Sequence, residues 1–144
     1  MNTTIRELTI DDFDQIIRIW DLAGLPYKPN GREQRDIFAK EMALDHVAVY
    51  GLYVDNVMLG VGIANWDGRR GWVNRVAVHP DHRGHGYAGI LIRKCIEFLE
   101  DKGALAIAAL IEEVNAPSIT AFQKEGFGAL PEILYLSRYK YDGA

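Results

Sequence analysis

Val76-Ala77-Val78-His79-Pro80-Asp81-His82-Arg83-Gly84-His85-Gly86-Tyr87-Ala88 is the stretch whose reading decides the fold. It opens as an apolar strand, passes one proline and two glycines, and runs into a segment of helical periodicity. The glycines at 84 and 86 let the backbone turn tightly and let a ligand approach with no Cβ in the way. Free N–H groups of such a turn and of the first helical turn converge on one point. The helix dipole adds to their positive field, and Arg83 supplies a charged fork suited to phosphate. Physics alone makes this a cradle for phosphate or pyrophosphate. The bland alternative is a tight turn whose glycines serve chain reversal only.

Downstream, Ala88, Leu91, Ile92, Cys95, Phe98 and Leu99 fall on one helical face, with Arg93, Lys94, Glu97, Glu100 and Asp101 outside. Gly103 ends that helix. Ala104 to Ile111 is a continuous apolar run, which predicts a strand buried on both faces. Strand, helix and strand in this order predict a right-handed crossover and a parallel pair. Upstream, Val47–Val54, Val57–Ala64 and Trp72–Val78 are β-rich runs separated by Asp55-Asn56 and Asp67-Gly68, the pattern of an antiparallel meander. Ile5–Thr9 predicts an opening strand. Thr9 and Asp12 have the spacing of a capping box, and Phe13, Ile16, Ile17 and Trp20 recur at helical spacing up to Gly24. Leu25–Gly31 reads as a loop and Arg32–Leu44 as a second helix. Asn115 caps a last helix with Pro117 in its first turn. Gly126 ends it, with Phe127 folding back on Phe122. Phe127–Leu130 and Ile133–Tyr141 predict a closing pair of strands. The fold class is α+β, with a mixed, mostly antiparallel sheet and helices on both faces.

The chain has 144 residues, 49% hydrophobic and 25% charged, enough for one domain over 1–144 with a real core. Its net charge of −4 argues against a nucleic-acid partner, which selects a basic face. No apolar run approaches the ~20 residues of a spanning helix, and no basic-then-apolar leader opens the chain. The expectation is a cytoplasmic protein with no membrane partner. The single cysteine, Cys95, sits on the apolar helix stripe and reads as a core thiol. His79, His82 and His85 are spaced by three around Asp81, but they share the phosphate loop, and no metal is expected.

Val78-His79-Pro80 followed by Arg83-Gly84-His85-Gly86-Tyr87-Ala88, then Asn115 and a helix closing on Gly126-Phe127, resembles the GNAT superfamily of acyl-CoA-dependent N-acetyltransferases. The resemblance is close over Trp72–Phe127, and element order extends it to the whole chain. It implies a GNAT-like fold whose strands carrying Val78 and Leu110 splay apart. It implies acetyl-CoA as acyl donor, with the pyrophosphate on the N–H groups of Arg83, Gly84, His85, Gly86, Tyr87 and Ala88. The pantetheine arm is implied to pair with the backbone of Val76, Ala77 and Val78, with Asn115, Ser118 and Phe122 lining the slot near the thioester. The acceptor is implied to be an amine of a small molecule or peptide, attacking directly in a ternary complex.

Two positions depart from the pattern. Relatives carry a tyrosine, the presumed general acid, where this chain has Phe122, and some carry a glutamate where it has Leu110. Candidates for proton transfer are Glu112, Glu113, Tyr135 and Asn74, of which Tyr135 and Glu112 are taken forward as catalytic. The alternative is that positioning alone suffices, since CoA thiolate leaves readily. Trp20, Leu25, Pro26 and Tyr27 are implied to wall the acceptor, against plain packing. Arg69 and Arg70 read as a solvated turn beside Trp66, and Arg75 as a group that can bind an acceptor carboxylate. Strict alternation puts Asn74, Val76 and Val78 on one face and Val73, Arg75 and Ala77 on the other. Tyr135, Tyr139 and Tyr141 alternate on one face of the closing strands, which suits a homodimer or an ordinary half-buried strand. Two rival functions stand beside the enzyme: a catalytically silent CoA-binding sensor or assembly domain, and a generic nucleotide-phosphate binder.

Overall fold

Five strands form one sheet in the order β1-β2-β3-β4-β5, and a computed structural model describes the chain over residues 2–144. Strand β1 is Thr3–Glu7, two residues earlier than expected at each end. The reason lies in Thr9. Its hydroxyl accepts the Asp11 N–H, while the Asp12 carboxylate accepts the Thr9 N–H at 2.9 Å. That capping box commits Thr9 to the turn Ile10–Asp12 and to helix α1, Phe13–Ala23. Arg6 reaches both Asp12 oxygens at 3.2 and 3.0 Å and holds the carboxyl below its ordinary pKa although burial opposes this. Gly24 closes α1 at φ +72°, a left-handed cap.

Helix α2 is Arg35–Met42, shorter than Arg32–Leu44. Lys28 accounts for the lost turn: its C=O accepts the Gly31 and Glu33 N–H groups, and its own N–H donates to the Glu33 carboxylate at 2.6 Å. Strands β2 (Val47–Val54), β3 (Val57–Trp66) and β4 (Gly71–Val78) form the expected antiparallel meander. Asp55 and Asn56 both have positive φ, the hairpin turn that matches strand twist. The Asp67 carboxylate accepts N–H groups of Trp72, Arg69 and Arg70, which depresses its pKa to about 2 and fixes the β3–β4 turn.

Helix α3 (Tyr87–Asp101) crosses over to β5 (Ile107–Ala108), which runs parallel to β4. Helix α4, Ala116–Lys124, follows, and beyond it Gly126 adopts φ +93°. The Phe127 ring lies edge-on to Phe122 at 5.0 Å, as the left-handed stop requires. One face of the sheet packs Leu52, Val73 and Val78 with Leu91, Cys95 and Leu99 of α3 and Phe122 of α4. The other buries Val49, Val61, Ile63 and Ala77 under Ile16, Ile19, Trp20 and Phe38 of α1 and α2. No helix among the described residues is long and apolar enough to cross a membrane.

Two expected strand regions differ. Of Ala104–Ile111, only Ile107 and Ala108 pair, opposite Gly71 and Trp72, and Leu105 and Leu110 stand exposed. The run is an edge rather than a buried strand. Neither Phe127–Leu130 nor Ile133–Tyr141 forms a strand. A ladder needs a partner edge, and a two-residue β5 offers few groups to pair with. The tail instead folds back, where the Tyr141 hydroxyl donates to Asn30 O at 3.0 Å and Arg32 lies over the Tyr139 ring. Tyr135, Tyr139 and Tyr141 therefore share no strand face.

Candidate functional site

Strand β4 carries the feature that shapes the site. Val61 opposes Ala77, but Ile63 opposes Asn74, so two residues of β4, Arg75 and Val76, face the single Gly62. Arg75 sits at φ +53°, the left-handed region that a non-glycine residue adopts at a cost. The bulge breaks strict alternation. Val73 joins Val76 and Val78 on the α3 face, while Asn74, the partner of Ile63, lies on the α1 face with Ala77. The grouping expected from alternation is therefore wrong by one register step. Two adjacent polar residues inside an apolar strand are the signal in the sequence.

The far side of β4 is unpaired at the bulge. Pairing of β4 with β5 stops at Trp72. The His79 N–H donates to Leu59 O at 2.7 Å. Alternation then turns the polar backbone groups of Ala77 toward β3 and those of Val76 and Val78 toward the side that β5 has left. Beyond the splay, the Asn115 side chain caps α4 by accepting the Ser118 N–H at 3.3 Å. Phe122 is buried in the α3–α4 core against Phe127.

The loop after β4 is built as its sequence suggests. His79 Nδ1 accepts the Asp81 N–H at the start of a short turn, Pro80–His82. Arg83 is extended and exposed, and Gly84 and Gly86 take φ +84° and +79°. A Cβ on either glycine would meet nothing within 4 Å, so their absent side chains leave open space above the backbone. Among the described residues, the N–H groups of Gly84, His85 and Gly86 find no backbone or side-chain acceptor. Those of Tyr87, Ala88 and Gly89 begin α3, where no intrahelical acceptor exists. The His85 ring stacks on Tyr87 at 5.4 Å, and its Nδ1 lies 3.2 Å from the His82 and Arg83 carbonyl oxygens. Carbonyls only accept, so Nδ1 carries the proton. No group of three or more metal-ligating side chains comes together among the described residues.

On the opposite face, Trp20, Asp21, Gly24, Leu25, Pro26, Tyr27 and Pro29 line an open cavity of about 430 Å³. Arg75 roofs Trp20, with Cζ 4.3 Å from the ring centroid, and donates to Pro26 O. Burial pulls the Arg75 pKa down and pushes that of Glu41 up, with Glu33 acting on both. Sequence reading misses Glu33 and Glu41, because a charged run before a helix looks like a solvated face. Glu112, Glu113 and Tyr135 are exposed, with no side-chain hydrogen bond among the described residues. Cys95 is buried, and burial raises its thiol pKa to about 12.

Three comparisons bear on this geometry. A family model described as the acetyltransferase (GNAT) family matches residues 10–127. An acetyltransferase of Yersinia pestis is 30% identical over 122 residues, covering 83% of this chain and 84% of its own. One of Sodalis glossinidius is 29% identical over 141 residues, covering 93% of each. Among solved structures, aminoglycoside N-acetyltransferase AAC(6')-Iy with CoA superposes with a TM-score of 0.77 at 20% identity, covering 97% of this chain and 96% of its own. PaiA N-acetyltransferase of Thermoplasma acidophilum with coenzyme A gives 0.76 at 17% identity, covering 89% and 91%.

Proposed function

The chain belongs to the acetyltransferase (GNAT) family, and from that premise we propose that it moves the acetyl group of acetyl-CoA to a primary amine by direct attack in a ternary complex. The observation that carries this is the run of unpartnered N–H groups from Gly84 to Gly89, set beside an open β4 edge. The pyrophosphate takes the loop N–H groups of Arg83 to Ala88, with Arg83 adding charge. The pantetheine arm pairs with the outward backbone groups of Val76 and Val78, beside Ala77. Asn115, Ser118 and Phe122 bound the slot from α4.

In this reading the chain's contribution to the chemistry is positional. A neutral amine attacks the thioester carbon, and the carbonyl oxygen becomes an oxyanion. N–H groups at the open edge stabilise that charge because they are fixed before the reaction. The C–S bond then breaks, the thiolate leaves, and the nitrogen sheds its proton to solvent or to the departing sulfur. Phe122 has no proton to give. Glu112 and Tyr135 stay candidates for the transfer, each as a surface group. Residues 1–144 act as one transferase domain.

The experiment is thiol release from acetyl-CoA across a broad amine panel. Amine-dependent release supports the enzyme. Tight acetyl-CoA binding with no release from any amine supports the rival, a silent CoA-binding sensor, which the exposure of both catalytic candidates favours. We also propose a homodimer, on different grounds from the tyrosine face. Leu130, Ile133, Leu134 and Leu136 are all exposed in one segment and suit a second copy. Light scattering that gives a monomer at about 0.1 mM, a concentration at which weak dimers form, removes that part.

A further inference from the structure

Among the described residues, two buried donors have no acceptor: one belongs to Trp20, which lines the open cavity on this face, and the other to Arg75, which stacks on it. Trp20 is fully buried, yet its Nε1–H meets no acceptor, and the same holds for the Nε–H of Arg75. Orphaned buried donors are rare in native proteins. These two belong to side chains stacked on each other, 4.3 Å from Cζ to ring centroid. Trp20 lines the 430 Å³ cavity, and Pro26, which also lines it, holds Arg75 by its carbonyl oxygen. Arg75 is brought there by a bulge in left-handed backbone, the kind of local strain that gathers at ligand sites.

The chemistry of the missing group follows from what the donors are. Indole and guanidinium N–H groups donate and never accept, so an ammonium or hydroxyl proton has no place between them. The group must accept. Among the described residues, no carboxylate lies within 4 Å of the Arg75 guanidinium. Glu33 spends one oxygen on the Lys28 N–H. Glu41 stands beyond ion-pair distance. Asp21, the acidic lining residue, is exposed and screened by solvent. A partly buried guanidinium without an ion pair favours a charged acceptor over a neutral carbonyl. Arg75 immediately precedes Val76, the first residue of the open edge, so a group held here sits beside the thioester slot.

We propose that the acceptor of this enzyme carries a carboxylate near its amine, as an amino acid does, and that Arg75 and Trp20 hold it. The inference rests on the acetyl-transfer reading above and narrows it from amines in general to amino acids.

The test compares a pool of free amino acids with the matching pool of α-carboxamides, at saturating acetyl-CoA, by thiol release. The acids are turned over at least about tenfold better, the cost of one lost charge-assisted hydrogen bond. Arg75→Gln removes that preference by raising KM for the acids far more than for the amides, whereas a merely structural role would lower both pools alike. Trp20→Phe removes the indole N–H and raises KM for the acids more than for the amides. A second readout needs no turnover. N-acetylglycine shifts the indole N–H resonance of Trp20, assigned by its absence in Trp20→Phe, and N-acetylglycinamide does not. Amides that match or outdo the acids overturn the proposal while acetyl transfer stands. So does a Trp20 indole unmoved by any N-acetyl amino acid. Failure of the wider reading looks different: acetyl-CoA does not bind, and no pool releases thiol.

Discussion

Replacing Gly86 by tryptophan separates the role of this glycine in binding from its role in folding. Gly86 sits at φ +79°, and a Cβ there meets nothing within 4 Å. The cost to the fold is therefore the left-handed backbone alone, about 1–2 kcal/mol for a residue with a Cβ. Gly68, in the β3–β4 turn, is its natural control, with φ +90° and equally open surroundings. Gly86→Trp and Gly68→Trp should lower Tm by a similar amount, roughly 2–8 °C. Their effects on acetyl-CoA should diverge. An indole above the Gly84–Ala88 backbone occupies the space assigned to the pyrophosphate and denies it at least two charge-assisted hydrogen bonds, about 3–6 kcal/mol. That is an affinity loss of more than about 100-fold. Calorimetric titration of both folded variants reads it directly. Acetyl-CoA affinity unchanged in Gly86→Trp, or lost equally in Gly68→Trp, refutes the placement of the coenzyme.

Asp12→Asn removes the Arg6 pair and weakens the capping box, costing about 1–3 kcal/mol at neutral pH by chemical denaturation. The Asp12 pKa is lowered in the fold, so this stabilisation is present above the ordinary carboxylate value and fades as pH falls through the depressed one. The gap between wild type and variant should narrow as pH falls below the ordinary carboxylate range. Phe122→Ala empties a core position against Phe127 and costs about 3–5 kcal/mol, read as a large drop in Tm. Cys95, buried with a pKa of about 12, should resist a thiol reagent in the native protein and react once unfolded. Glu112→Gln and Tyr135→Phe, both on exposed residues, should leave kcat within about threefold if positioning carries the rate. A loss near roughly 100-fold in either assigns it the proton transfer.

The parts of the fold written in local chemistry are legible in the sequence. The Thr9–Asp12 box, the Asp55-Asn56 turn, the Gly24 and Gly126 stops and the Gly84–Gly86 loop each depend on residues a few positions apart. What the sequence hides depends on distant partners. Ala104–Ile111 has strand composition, but its pairing ends short of the β4 bulge, and composition does not encode that limit. The closing strands are absent because the tail docks through Tyr141 and Tyr139 on Asn30 and Arg32 of the loop before α2, with Tyr141 lying 111 residues from Asn30 in the chain. The bulge has only a faint local signal, the adjacent polar pair Asn74-Arg75, and simple alternation runs straight through it. With it goes the stacking of Arg75 on Trp20, which joins residues far apart in the chain. Buried Glu33 and half-buried Glu41 escape for the same reason, since only the packing around the loop after α1 takes them out of solvent.

The most direct test of the central claim is amide NMR of the uniformly 15N-labelled protein titrated with acetyl-CoA, with ATP as control. The largest shifts should fall at Gly84, His85, Gly86, Tyr87 and Ala88, a second set at Val76 and Val78 along the open edge, with far smaller effects from ATP. Shifts confined to other surfaces, or equal responses to ATP, would contradict it.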